Sequence, residues 1–151
     1  MPLAYTGWKT NYGQVPFHDD WIRFPRWGSQ ENARRAWRSV HDQRDLVSAM
    51  NNTKWRKLRM AMLALGRYSP SFRIMDAEYG QPSEWDGYWF HHFYLPNYAF
   101  IEWLELKAET PGPRCVLHEA LRRLHLPGEE TSGGFRIFGY QRGGKPLDYI
   151  R

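Results

Sequence analysis

Residues 98–106, Tyr98-Ala99-Phe100-Ile101-Glu102-Trp103-Leu104-Glu105-Leu106, decide the fold. With the period of two that a strand imposes, Tyr98, Phe100, Glu102, Leu104 and Leu106 share one face. Ala99, Ile101, Trp103 and Glu105 share the other. Both faces are largely apolar, which places this strand centrally in a sheet. Just upstream, residues 88–94 read as a second strand, and a hairpin through Leu95-Pro96-Asn97 is the economical connection. Residues 80–87 form a polar loop, and before it Phe72, Ile74 and Asp76 alternate with Arg73 and Met75 as a third strand.

Still further upstream the period becomes helical. Trp55, Leu58, Met62 and Leu65 lie on one stripe. Asn52 or Thr53 can cap this helix by accepting a bond from a free backbone N–H, and Gly66 suits a left-handed stop. Ser29-Gln30-Glu31-Asn32 resembles an earlier helix start, with Ala33, Ala36, Trp37 and Val40 on its stripe and the helix running toward Val47. Residues 1–28 scatter Trp8, Tyr12, Phe17, Trp21, Phe24 and Trp27 among Gly and Pro, as in an irregular arm that packs by inserting rings. Downstream, Pro111 and Pro113 open a third helix whose buried face is Val116, Leu117, Ala120, Leu121 and Leu124. Pro127-Gly128 closes it, and a last strand pair, 135–141 and 147–150, meets across Gly143-Gly144. Segregated runs of helix and strand predict an α+β fold: a mainly antiparallel sheet of about five strands packed by two to three helices. The organisation is an arm over 1–28 and one domain over 29–151.

At 151 residues the chain fits one domain, and folding buries about 70% of its extended surface. Such a core requires neither metal nor disulfide. Cys115 is the only cysteine, so an intrachain disulfide framework and a multi-cysteine zinc site are excluded. The start, Met1-Pro2-Leu3-Ala4-Tyr5-Thr6-Gly7, lacks the basic and apolar regions of a signal peptide, and no apolar run approaches a membrane span. A soluble, cytoplasmic protein is the expectation.

The run Met50-Asn51-Asn52-Thr53-Lys54-Trp55-Arg56 opening a helix resembles the signature of a family of small uncharacterised bacterial proteins. Trp85-Asp86-Gly87, Ile101-Glu102-Trp103-Leu104-Glu105 and Phe135-Arg136-Ile137-Phe138-Gly139-Tyr140 are similar to that family too. The resemblance covers about residues 46–151 and implies no activity. Read physically, Asn52-Thr53 is a capping pair and Trp55 anchors the helix on the sheet. The alternative is that Asn51 and Asn52 present their amides to a ligand.

Chemistry is thinly signalled. Glu102, between Phe100 and Leu104, is a carboxylate on an apolar face, where burial is costly without a partner. Across the expected hairpin, His92 or Phe90 would face it, and a His–Glu pair can serve acid–base chemistry. His91 and His92 point to opposite faces of a strand and cannot share a metal, and His18, His41, His118 and His125 show no ligand spacing. Cys115 lies at a helix start beside Arg114 but lacks a nucleophile's local context. There is no Walker loop, dinucleotide fingerprint or Gly-x-Ser-x-Gly, and Gly133-Gly134 and Gly143-Gly144 read as turns. No enzymatic activity, cofactor or metal is expected.

Charge is unevenly placed within a net charge of +5. Residues 51–70 hold Lys54, Arg56, Lys57, Arg59 and Arg67 with no acid, whereas 71–113 hold seven acids against Arg73 and Lys107. The basic helix could contact phosphates through Lys54, Arg56, Lys57 and Arg59, so a nucleic-acid-associated protein is the alternative reading. The acidic block beside the aromatic strands counts against base stacking there, and residues 135–140 lack the residue order of an RNA-recognition strand. The segment 76–86 combines acids with aromatic anchors: Asp76, Glu78, Tyr79, Glu84, Trp85 and Asp86. Aromatic anchors in a charged rim concentrate binding energy. The expectation is therefore a non-catalytic protein-binding module using those six residues. Its most concrete form is an immunity protein that neutralises a bacterial toxin.

Overall fold

The computed structural model describes residues 45–77, 80–93 and 97–151. The arm expected at 1–28 and most of the helix expected from Ser29 lie outside them. The extension of that helix toward Val47 is corrected. Leu46–Ser48 form a short strand, β1, antiparallel to β6, Tyr140–Arg142.

Helix α1, Asn52–Ala64, buries Trp55, Leu58 and Met62, spaced to fall on one stripe. Its cap is Asn51, ahead of both Asn52 and Thr53. The Asn51 side chain accepts the Lys54 N–H at 2.8 Å, the third-residue donor that a cap must reach. Gly66 follows with φ +57°, and a short 3₁₀ turn, Gly66–Tyr68, leads into the sheet.

The main sheet is antiparallel, in the order β2 (Phe72–Asp76), β3 (Ile101–Lys107), β5 (Gly134–Phe138), β4 (Gly128–Thr131). Among the described residues six antiparallel strands form two sheets beside the helices, an α+β fold. β3 has a neighbour on each side, the central place its two apolar faces require. α1 and α3 (Pro111–Leu124) cover one sheet face. There Phe72, Ile74, Ile101, Leu104, Leu106, Phe135 and Ile137 meet Trp55, Leu58, Met62, Leu117 and Leu121. Val116, expected in the α3 stripe, is instead exposed, because Leu117 and Leu121 already fill the contact with the sheet.

Three further expectations are corrected. Residues 88–94 do not form a hairpin strand, since Trp89–His92 make one helical turn, α2. Trp89, His92 and Phe93 are buried at helical spacing, while Phe90 stands out. The rings drive this. Trp89 lies 4.4 Å from Phe72 and 5.0 Å from Phe93, and its Nε1–H donates to Pro70 O at 2.8 Å. The segment leads into β3 through a 3₁₀ turn, Asn97–Phe100.

Second, strict alternation along β3 fails. Met75 faces Trp103, but Asp76 faces Ile101, so Glu102 is the additional residue of a β-bulge. The slip turns Ile101 into the core with Leu104 and Leu106. Glu102 joins Trp103 in lining the other face, which relieves it of the apolar environment the alternation predicted.

Third, 147–150 is not a strand; Tyr149 makes a single bridge to Pro127. The partner of β5 at the sheet edge is β4, across the turn at Ser132-Gly133.

Gly139, between β5 and β6, lies where a Cβ would come 2.0 Å from the Ile101 carbonyl oxygen. Gly139→Ala therefore forces backbone apart and should cost about 1–3 kcal/mol in urea unfolding. Gly87→Ala is the control. A Cβ there meets nothing within 4 Å, and stability should change by no more than about 0.5 kcal/mol.

Candidate functional site

The sheet face opposite the helices is organised by strand register. Arg73 on β2 faces Glu105 on β3, which faces Arg136 on β5, which faces Glu129 on β4. These four make one row of alternating charge across the sheet. Arg73 Nε donates to Glu105 Oε2 at 2.6 Å and Arg136 Nη2 to Glu105 Oε1 at 2.6 Å. Arg136 Nη1 reaches Glu129 Oε1 at 3.3 Å. The neighbouring row is apolar: Met75, Trp103 and Phe138 face one another across β2, β3 and β5.

Two indoles bracket the clamp. The Arg136 guanidinium lies 4.7 Å from the Trp103 ring centroid. On the other side Arg73 and Lys107 lie 4.9 Å and 5.6 Å from the Trp85 ring. Stacking on rings fixes the guanidinium planes while leaving edge donors available. Covered this way, the Glu105 side chain is only 11% exposed. Burial is the largest single influence on its carboxyl and pushes it up. Hydrogen bonds from Arg136 and Arg73, with their charges, together outweigh burial and hold it below the usual carboxylate range.

Two hollows adjoin at Arg136. The larger, about 590 Å³, includes Glu102, Trp103, Arg136, Phe138 and Arg142 in its wall. The smaller, about 260 Å³, lies between Trp85, Arg73, Lys107 and the Ser132-Gly133 turn. The face thus combines flat aromatic surface, an ordered set of charges and two recesses of side-chain to small-ligand size. Tyr140 closes one end. Its hydroxyl donates to Ala99 O at 3.0 Å, and burial pushes that hydroxyl well above the usual tyrosine range.

Of the six residues expected to bind a partner, four are among the described residues, and these four differ in exposure. Trp85 is 38% exposed and belongs to the sheet face, and Glu84 beside it is exposed. Asp76 is the half-buried last residue of β2. Glu78 and Tyr79 lie outside the described residues. Asp86 is corrected: it is interior, accepting from Tyr88 N–H at 2.7 Å and meeting His92 Nδ1 at 2.5 Å. That buried pair ties the 80–87 loop to α2. It also replaces the expected His92–Glu102 pair, because the bulge and the helical turn carry the two residues to other partners. Glu102 has Arg142 at 3.9 Å.

On α1, Arg56 and Lys57 are exposed, and Lys54 and Arg59 half-buried. Arg59 donates to the carbonyls of Trp89 and Phe90, bracing α1 on α2. Asn51 serves as the cap, and Cys115 is exposed on α3. Among the described residues no three His, Cys, Asp or Glu side chains gather in a metal-binding group, and no helix is long and apolar enough to cross a membrane. Arg73 and Lys107 escape a motif search, and Trp103, Glu105 and Arg136 fall in segments quoted for the resemblance, which gives them no role. Their signal is alternation on three strands, and it needs the strand pairing to become a site.

Residues 37–144 match a family of unknown function (DUF6678). No curated protein and no solved structure matches the chain.

The clamp has a pH signature. A carboxylate held below its unfolded value of about 4.3 stabilises the fold above that pH, and the contribution is lost as pH falls through the folded value. Glu105→Gln should cost roughly 1–3 kcal/mol at pH 7. The gap between wild type and variant should narrow below about pH 4.3. Urea unfolding at pH 7, 5 and 3.5 measures it, and a gap independent of pH would refute the clamp's contribution.

Proposed function

We propose, for a chain that belongs to the family of unknown function DUF6678, a non-catalytic role as a protein-binding module whose interface is the main-sheet face opposite α1 and α3. One observation carries this reading: the row Arg73–Glu105–Arg136–Glu129 flanked by Trp85 and Trp103. Trp and Arg dominate the residues that concentrate binding energy at interfaces. Here they are already ordered by stacking and ion pairing, so docking costs little further side-chain entropy. The Met75–Trp103–Phe138 row supplies a dry strip, and the charged row beside it supplies directional contacts.

A standard interface takes about 800 Å² from each partner. Four short strands at about 4.8 Å spacing present less than that. The contact therefore extends over the rims, onto Glu84 at one side and Arg142 and Lys145 at the other. Under this reading, the acidic loop expected to bind contributes an edge, and the centre shifts to the tryptophans.

The finer form of the proposal is a bacterial immunity protein that occupies a toxin's active site. The small chain and the exposed Glu84 beside Trp85 support it, while the net charge of +5 disfavours a strongly basic toxin.

The test is capture from native-host lysate with tagged full-length chain after nuclease treatment, followed by affinity measurement on the protein retained. Each of Trp85→Ala and Trp103→Ala should weaken binding roughly 30-fold, the scale of a 2 kcal/mol anchor. Lys57→Glu, on the far side of α1, should leave it unchanged. Unchanged affinity in both tryptophan variants, with native circular dichroism, overturns the sheet face as the interface.

A further inference from the structure

The cations of the described chain differ in their pairing with acids. Arg73, Arg114, Arg122, Arg123, Arg136 and Arg142 each have a carboxylate oxygen at 2.6–3.9 Å. Lys54, Arg56, Lys57, Arg59 and Arg67 have none among the described residues, and no acid occurs anywhere in residues 51–70. Among the described residues, Arg73 and Arg136 on the sheet face and Arg114, Arg122 and Arg123 on α3 are paired with carboxylates, whereas the five cations on and just after α1 are not, and neither are Lys107, Lys145 and Arg151. Surface cations are ordinary, but cations clustered on one helix with no acid among residues 51–70 create a local field that selects anions.

That field surrounds an exposed ring. Phe90 is 62% exposed, and the Arg59 guanidinium lies 5.1 Å from its centroid. The guanidinium is itself fixed by donating to Trp89 O at 2.9 Å and to Phe90 O. Phe90 is thus held outward on a cationic support rather than folded into the neighbouring aromatic core. The His91 ring stands edge-on to it at 4.9 Å. Met60, 56% exposed, adds apolar surface one turn beyond Arg56 and Lys57. Of the seven acids in residues 71–113 that counted against base stacking, Glu102 and Glu105 face the opposite side of the sheet and Asp86 is buried against His92.

We infer that the α1–α2 surface binds single-stranded nucleic acid, with Arg56, Lys57 and Arg59 contacting phosphates of a strand that crosses the helix and a base stacked on Phe90. A backbone carrying one charge per nucleotide matches a row of cations, and every base offers a face to a ring. An acidic peptide would satisfy the cations but leave the braced ring without a planar partner. A duplex would keep its bases inside the stack, away from Phe90. This surface is separate from the sheet face, so either assignment can fail without the other.

The test is fluorescence anisotropy of full-length chain with labelled 20-nucleotide oligo(dT) and oligo(U) across a salt series. Three phosphate contacts predict a slope of log K against log salt of about −2. Arg56→Gln with Lys57→Gln should make the slope shallower by about 1.4. Phe90→Ala should weaken binding about 5- to 100-fold at unchanged slope, the scale of one lost base stack. All three positions are exposed or half-exposed, and circular dichroism checks that the variants fold. No saturable binding at 50 mM salt overturns the inference. So does equal affinity for poly-glutamate or duplex DNA, or binding indifferent to Phe90→Ala.

Discussion

Glu105 is held at 2.6 Å by arginines from both flanking strands, and that clamp determines the character of the outer sheet face. β3 supplies the carboxylate, β2 and β5 the guanidinium groups, so the contact exists only in one register of three strands. A one-residue slip would send Glu105 into the core and Leu104 or Leu106 out, two errors at once. The apolar face beneath enforces the same register through Phe72, Leu106 and Phe135, which are cross-strand neighbours. Polar and apolar faces thus specify one pairing. Trp85 and Trp103 then follow, because the guanidinium planes on either side of Glu105 offer them flat cationic surfaces.

Elements whose apolar residues repeat on one face were legible without coordinates. Trp55, Leu58 and Met62 identify α1, Leu117 and Leu121 identify α3, and residues 98–106 identify the central strand, whose first three residues are instead part of a 3₁₀ turn. The turn at Gly133-Gly134 was equally plain. What escaped has physical causes. Trp89, Phe90, His92 and Phe93 fit a strand as well as one helical turn, because so short an apolar run does not separate the two periods. Tertiary contacts with Phe72 decide for the helix. Edge strand β4 carries Glu129 and Glu130 where a buried strand would carry aliphatics, so it gives no hydrophobic signal. The bulge at Glu102 breaks the alternation that made β3 readable and therefore cannot be seen from it.

The site was less legible than the fold. Trp85 was identifiable as an aromatic anchor amid acids, but its partners, Arg73 and Lys107, lie on two different strands. Asp86 was grouped with that anchor by proximity in sequence, while in space it belongs to His92. The basic character of α1 was evident from composition. That its charges lack carboxylate partners among the described residues, while six other arginines have them, required the structure. The molecule that results is two-sided, with a charge-balanced, aromatic sheet face and, beyond the helical layer, a cationic surface carrying one outward ring.

On the proposed reading a protein partner docks on the sheet face. Hydroxyl-radical footprinting of the chain, alone and bound to the protein it retains from native-host lysate, addresses it residue by residue. The account predicts that oxidation of Trp85, Trp103 and Met75 falls several-fold in the complex while Met60 and Phe90 react as before. Undiminished oxidation of Trp85 and Trp103 in a saturated complex would contradict it.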